Sequence, residues 1–327
     1  MKIVLPGGSG HLGQLLARAL ARRGDEVVLL SRSGARHGGT EYPRVVEWDG
    51  RALGAWAGEL DGADAVINLA GRSVNCRYTE SNLREMLDSR VDSTRAVGRA
   101  IERARRPPRV WLQASTATIY AHRFDAPNDE LTGRIGGGEP DAPGYWRRSI
   151  EIAKAWEQAI YDANAPATRK VALRTAMVMG AQPGGVFDVL FGLTRWGLGG
   201  TIAGGRQFVS WIHERDFVRA VAFLLARDDL EGPVNVTAPA PLPQREFMAA
   251  LRSAAGVPMG LPAARWMVEV GAFILRTDTE LVLKSRRVVP RRLLDAGFTF
   301  EFPEWPPAAD ELVARRRTRG ARRGGRD

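Results

Sequence analysis

An α/β fold built on a doubly wound parallel sheet, with a smaller and mostly helical C-terminal region, is predicted by three observations. Short apolar runs alternate with longer helical patterns through the first two thirds of the 327 residues. A glycine-rich turn, Gly7-Gly8-Ser9-Gly10-His11-Leu12-Gly13, lies between the first run and the first helical pattern. From Pro239 onward the strands give way to helical patterns separated by prolines.

The elements follow in order. Met1–Leu5 (MKIVL) is a strand, and Leu12, Leu15, Leu16, Ala19 and Leu20 mark the buried face of a helix. Between them the glycines at 7, 10 and 13 read G-x-x-G-x-x-G. Glycine permits the sharp turn, the approach of a pyrophosphate to the backbone and the close packing of helix on strand, so the turn is of Rossmann type. The helix start offers free N–H groups to phosphate. Gly7, Ser9, Gly10, His11, Leu12 and Gly13 are therefore expected to contact a dinucleotide. The second strand, Glu26–Leu30, ends in Ser31, Arg32 and Ser33. An acidic residue there would bind the ribose 2′-hydroxyl of NAD, whereas an arginine between two serines suits the 2′-phosphate of NADP. NADP(H) is thus favoured over NAD(H).

Further strands are expected at Arg44–Glu47, Ala65–Leu69, Arg109–Leu112, Lys170–Leu173 and Pro233–Val236. Helices are expected at Glu80–Ala104, Tyr145–Tyr161, Val186–Leu193 and Phe217–Ala226, then at Gln244–Ala255, Ala263–Leu275 and Val289–Ala296. The carboxyl ends of parallel strands hold ligands in open α/β sheets. Leu69, Ala70, Gly71, Ala114, Ser115 and Arg174 lie at such ends, and with Arg90 are assigned to the cofactor. Residues 121–144, rich in Gly, Pro and Asp, form a loop over those ends. The core is expected to span 1–180, completed by strands and a helix within 206–237. The substrate side takes 181–205 and 238–312.

Composition narrows the function classes. No apolar run approaches the roughly 20 residues of a membrane span, and Lys2 is followed by only three apolar residues before Pro6, so no signal peptide is expected. The single cysteine, Cys76, allows no internal disulfide and no cysteine-built metal site. A cytoplasmic location is expected. The net charge is +10, but seven arginines fall within residues 313–327 against one aspartate. That tail is expected to be disordered and solvated. The expected partner is a small molecule, with no membrane and no nucleic acid. Lysines are scarce: four of 47 basic residues (Lys2, Lys154, Lys170, Lys284).

These residues resemble the extended short-chain dehydrogenase/reductase superfamily, and within it the atypical epimerase family that carries a C-terminal DUF1731 domain. The resemblance covers about residues 1–312. It is carried by GGSGHLG (7–13), NLAG (68–71), RYTESNLREMLDSRVDST (77–94), LRTAMVMG (173–180), GRQFVSWIHERD (205–216), GPVNVTAP (232–239) and SRRVVPRRLLDAGFTF (285–300). It implies a Rossmann core, NADP(H) binding and an oxidoreductase or epimerase activity on a small molecule. Chloroplast and cyanobacterial relatives linked to cell division imply the alternative of an inactive nucleotide-binding scaffold or sensor.

The superfamily uses a tyrosine as proton donor, a lysine four residues later to lower its pKa, and a serine or threonine to hold the substrate oxygen. Here the residues four after Tyr42, Tyr78, Tyr120, Tyr145 and Tyr161 are Val46, Asn82, Phe124, Ser149 and Ala165, so no Tyr-x-x-x-Lys exists. Aligning Lys154–Glu157 with the family helix puts Arg148 and Ile152 at the two positions. A phenol near pKa 10 is a poor base without such a cation. Thr116, four residues before Tyr120, matches the family's S-x-x-x-Y-G segment and is the candidate for the substrate oxygen. Tyr120 and Tyr145 are the candidate acids. Arg72, Arg77, Gln207 and Trp211 are assigned to substrate, and Arg72, Arg77, Arg90, Arg206 and Arg215 would make the cleft basic, which suits an acidic substrate. His213 is expected to be structural. His37 and His122 have no ligand partners at useful spacing, so no metal site is expected.

Overall fold

The computed structural model describes residues 1–32, 44–140, 143–274 and 278–324. Its first half runs β1 (Lys2–Pro6), α1 (His11–Arg22), β2 (Glu26–Ser31), β3 (Arg44–Glu47), a 3-10 turn at Ala55–Leu60, β4 (Ala65–Asn68) and α2 (Glu80–Arg103). Next come β5 (Val110–Thr116), a one-turn 3-10 helix at Ala117–Ile119, α3 (Trp146–Tyr161), β6 (Arg169–Thr175) and β7 (Met177–Met179). The second half continues with α4 (Val186–Arg195), β8 (Phe208–Val209), β9 (Trp211–His213), α5 (Glu214–Ala226), β10 (Gly232–Val236) and β11 (Leu242–Pro243). It closes with α6 (Gln244–Ala255), α7 (Arg265–Ile274), α8 (Glu280–Leu283), α9 (Arg291–Asp295) and α10 (Trp305–Gly324).

Seven strands form one parallel sheet in the order β10-β6-β5-β4-β1-β2-β3. Successive side chains point to opposite faces. Ile3, Leu5, Val27 and Leu29 pack with Leu16, Leu20, Phe217 and Leu224 of α1 and α5. Val4, Val28, Val66 and Trp111 pack on the other side with Val97 and Ile160 of α2 and α3. Helices thus cover both faces, as the near-continuous apolar strands require. A separate cluster unites α4, α6 and α10, with Phe247 stacked on Trp305 at 4.0 Å.

The expected elements are present, with differences at their ends. β5 runs on to Thr116 because Ala114, Ser115 and Thr116 pair with Leu173, Arg174 and Thr175 of β6. α5 starts three residues early because the His213 side chain caps it, accepting from Arg215 N–H. The tail is a correction. Residues 313–324 are helical, continuing α10, rather than disordered. Arginine-rich sequence reads as solvated chain when its charge is unanswered, but here Arg315 pairs with Glu214 and Glu311, and Arg316 with Asp188. Arg317 also donates to the Ala255 carbonyl at 2.7 Å.

The sheet order reverses between β1 and β4, and there the glycine turn meets the Leu69–Gly71 segment. Gly7 has φ +76°, and a Cβ on it would lie 2.6 Å from the Ala70 nitrogen. A Cβ on Gly13 would lie 2.5 Å from the Gly8 Cα. Gly13→Ala is therefore expected to cost about 3 kcal/mol, read as a lower urea midpoint at unchanged slope. Gly10→Ala, whose nearest neighbour would be the Gly7 carbonyl at 3.4 Å, is expected to stay within about 0.5 kcal/mol of wild type.

Candidate active site at the sheet switch point

Gly7 N–H donates to the Leu30 carbonyl at 3.0 Å, which turns the chain over the end of β2. Gly10 caps α1 with extended backbone, no side-chain hydrogen bond and no acidic residue in the following turn. Gln14 N–H is the first to bond back, to the Gly10 carbonyl. The amides of His11, Leu12 and Gly13 therefore have no intrahelical acceptor. Ser31 Oγ donates to Ser9 Oγ at 3.1 Å, bringing the turn and the end of β2 together. Arg32 is exposed at that end. Ser33 lies outside the described residues.

Across the reversal, Leu69 N–H donates to the Pro6 carbonyl and Ala70 N–H to Asn68 Oδ1. Gly71 is exposed, and a Cβ on it would come within 3.3 Å of Arg90 Cγ. Arg90 is buried, donates to the Met86 carbonyl at 3.0 Å and lies 4.9 Å over the Trp156 ring. Burial lowers its pKa to about 10, and no carboxylate among the described residues opposes that. A buried cation beside an exposed glycine at a strand end is a place for an anion. Ala114, half-buried, lines the neighbouring strand end.

The candidate catalytic residues separate. Thr116 is half-buried, and its Oγ1 accepts from Thr118 N–H at 3.1 Å, which leaves its own proton to donate. Tyr120 is a correction. Its ring is buried, and its hydroxyl donates to Asn235 Oδ1 and accepts from Arg174, both at 2.9 Å. Burial raises its pKa above the usual phenol value, which unsuits it further for proton exchange. Ser115 and Arg174, assigned to the cofactor, belong to the same buried network. Ser115 Oγ donates to Glu157 at 2.6 Å, and Arg174 makes two bonds of 2.8 Å to the Glu157 carboxylate. Their side chains hold strands to helix instead. Tyr145 stands exposed before α3 with its hydroxyl 2.8 Å from Thr279 Oγ1.

The residues assigned to substrate also divide. Trp211 is fully buried, edge-on to Trp305, with its indole N–H on the Ala240 carbonyl, so it is core. Arg72 is occupied by Asn82 and Glu85, and Arg215 by Glu301 and Glu311. Arg77 anchors the start of α2, its carbonyl accepting from Asn82 Nδ2. Gln207 donates to the Ile202 and Val282 carbonyls, yet lines a cavity of about 260 Å³ with His122, Phe124, Trp146, Arg206 and Arg265. His213 is structural as expected, its Nε2 facing Glu311 at 3.1 Å. His11 lies beside Gly185, the cap of α4.

A buried polar cluster beside this cavity had no signal in the sequence. Lys284 Nζ donates to the Thr118 carbonyl at 2.8 Å and sits 3.4 Å from Glu280 Oε1. Glu280 accepts from Ser149 Oγ of α3, and Ser149 in turn hydrogen-bonds Tyr78. Arg286 Nε donates to Thr118 Oγ1 at 3.1 Å. Glu280 and Lys284 are four apart and both nearly inaccessible to water. The sequence offered only the rarity of lysine and a serine four residues after Tyr145. Arg148 and Ile152, placed at the acid and lysine positions by alignment, are respectively an exposed partner of Glu80 and Glu151 and a core residue against Leu83 and Met86.

Comparison with known proteins places these features in a family. The model described as the NAD dependent epimerase/dehydratase family matches residues 3–237, and that of the domain of unknown function DUF1731 matches residues 263–312. The epimerase family protein SDR39U1 of Bos taurus is 32% identical over 321 residues, covering 96% of this chain and all of that protein. The epimerase family protein YfhF of Bacillus subtilis is 30% identical over 97% of this chain and all of its own length. The crystal structure of human SDR39U1 (isoform 2) with NADPH superposes with a TM-score of 0.81 at 29% identity, covering 96% of this chain and 99% of that one.

Burial lowers the Lys284 pKa to about 8, against a smaller opposing pull from Glu280. Between that value and the ordinary 10.5 the unfolded chain holds a proton there that the folded chain does not, so stability rises with pH across the window. Below about pH 8 the folded protein carries the full cost of a buried ammonium. Urea unfolding of wild type and Lys284→Met is expected to show the difference moving in favour of wild type between pH 7 and pH 10, by at most about 3 kcal/mol. A pH-independent difference would mean that Lys284 titrates normally.

Proposed function

The chain belongs to the NAD dependent epimerase/dehydratase family, and on that premise we propose that it binds NADP(H) across the sheet switch point and acts as an oxidoreductase or epimerase on a small molecule. The carrying observation is Gly10. Its backbone is ordinary and its Cβ direction almost open, so the fold does not require glycine there. A phosphate approaching the uncapped start of α1 does. Human SDR39U1 was crystallised with NADPH, and its structure spans nearly the whole of this chain.

In this reading the His11, Leu12 and Gly13 amides receive the pyrophosphate, with Ser9 and Ser31 beside the adenosine ribose. Arg32 binds the 2′-phosphate and sets the preference for NADP(H). Leu69, Ala70, Gly71 and Ala114 form the apolar and backbone wall, and Arg90 supplies a buried positive charge. Bound NADP(H) supplies the capacity to accept or give hydride. Thr116 donates its free proton to the substrate oxygen, while its own oxygen is held by Thr118 N–H. Tyr145 is the remaining tyrosine of the two proposed acids, at the start of α3. The cavity lined by Arg206, Arg265 and Gln207 accepts an acidic substrate. The second reading, a cofactor-binding scaffold without turnover, draws on the engagement of the Tyr120 hydroxyl inside the core.

Fluorescence titration with NADPH and NADH tests the cofactor site. NADPH is expected to bind more tightly, and Arg32→Ala to weaken NADPH by about tenfold or more while leaving NADH nearly unchanged. Equal affinity for both in wild type would remove Arg32 from that role. Given a substrate, Thr116→Val is expected to lower kcat by about 10² at unchanged NADPH affinity. NADPH binding with no turnover across a substrate panel would favour the scaffold.

A further inference from the structure

Two loops on the C-terminal side lie edge to edge. Leu261 N–H donates to the Gly197 carbonyl at 2.7 Å, and Ala263 N–H to the Thr201 carbonyl at 2.9 Å. A Cβ on Gly200 would fall 2.1 Å from the Leu261 carbonyl oxygen, so the backbones touch. Between them these loops and the start of α7 expose Trp196 (84%), Met259 (80%), Leu261 (66%) and Trp266 (65%), with Leu198 beside them. Scattered exposed apolar side chains are normal, but five large ones on adjoining backbone are a patch that needs a partner.

The charge on these loops and the start of α7 is net positive, with Glu269 the one acid among it. From Val189 to His213 and from Phe247 to Val268 the chain carries Arg195, Arg206, Arg252 and Arg265 and no acidic residue. Arg252 donates to the Gly199 carbonyl at 2.6 Å, inside the patch, and Arg265 faces Glu269 of its own helix at 3.4 Å. A second copy fits poorly, because a two-fold contact sets the same net positive rim against itself. The arginine-rich end of the chain repels the patch for the same reason. We propose that this patch docks the protein on an anionic bilayer surface, tryptophan and methionine entering the headgroup–acyl boundary and the exposed Arg195 with the net positive rim facing lipid phosphates. Side chains that stand almost clear of the protein, rather than lining a groove, suit a deformable acyl layer, and tryptophan favours that interface. Among the described residues no helix is long and apolar enough to cross a membrane, so the contact is peripheral. It departs from the expectation of no membrane partner, which rested on the absence of a span.

Sedimentation of the full chain with vesicles tests this. Binding to an equal mixture of phosphatidylcholine and phosphatidylglycerol is expected to exceed binding to phosphatidylcholine by at least about tenfold, and to fall with salt. The variant W196S/M259S/W266S is expected to lose about tenfold or more of that binding while keeping the wild-type unfolding midpoint and NADPH affinity. No binding to anionic vesicles would overturn the proposal. So would full binding by the triple variant, which would assign the attraction to the arginine-rich end. A concentration-dependent dimer in sedimentation velocity, lost in the triple variant, would give the patch to a second copy instead.

Discussion

The wall of the site depends on one buried ion pair. Arg174 on β6 and Glu157 on α3 meet through two bonds of 2.8 Å, both side chains about nine-tenths buried. Taking both charges out of water is expensive, and the pair is tolerable only because every strong acceptor and donor around it is answered. Ser115 of β5 fills the carboxylate, and Tyr120 takes the remaining guanidinium donor and passes a bond to Asn235 of β10. Burial works against the Arg174 charge, but the Glu157 hydrogen bonds and charge outweigh it and hold the pKa above the usual guanidinium value. Four elements are thereby fixed at the carboxyl end of the sheet, and Thr116 follows Ser115 directly into the site.

This arrangement explains the division of labour among polar side chains of similar appearance. Ser115 and Thr116 are neighbours on one strand and point to opposite faces, as strand geometry dictates. One is consumed by the core and the other keeps a proton to give. Tyr120 follows a single 3-10 turn later, where it returns to the core side and becomes structural. The loss of Tyr-x-x-x-Lys is matched by a polar cluster of different origin, in which Glu280 and Lys284 come from the C-terminal region and reach Ser149 and Thr118 of the core. That cluster ties the C-terminal helices to the end of β5, so the second region completes the site's outer wall.

Charge is distributed by the same logic. The large arginine excess is not one basic surface. Arg315 and Arg316 are spent on Glu214, Glu311 and Asp188, which turns the tail into the last turns of α10. Arg72 and Arg215 are likewise neutralised by nearby acids. The buried Arg90 beside Gly71, by contrast, has no carboxylate acting on it among the described residues.

Much of the fold was legible because its signals are local. The glycine spacing at 7, 10 and 13, the apolar strands and the helical periodicities each follow from backbone sterics and burial within a few residues of chain, and they name the doubly wound sheet. Extents were less legible. β5 reaches Thr116 because β6 pairs with it, and the tail is held as helix by Glu214 on α5 and Asp188 on α4, which pair with Arg315 and Arg316 from 101 and 128 residues away in sequence. The roles of Tyr120, Ser115 and Arg174 were illegible for the same reason. Whether a polar side chain meets solvent or a buried partner is decided by what the fold sets against it, and the partners Glu157 and Asn235 lie 42 and 115 residues away from Ser115 and Tyr120. The sequence by itself determined the glycine turn and the open start of α1, because glycine's freedom and a helix start are properties of contiguous chain. Only the tertiary structure decided which hydroxyls remain free to do chemistry, because hydrogen-bond saturation is settled between segments distant in sequence.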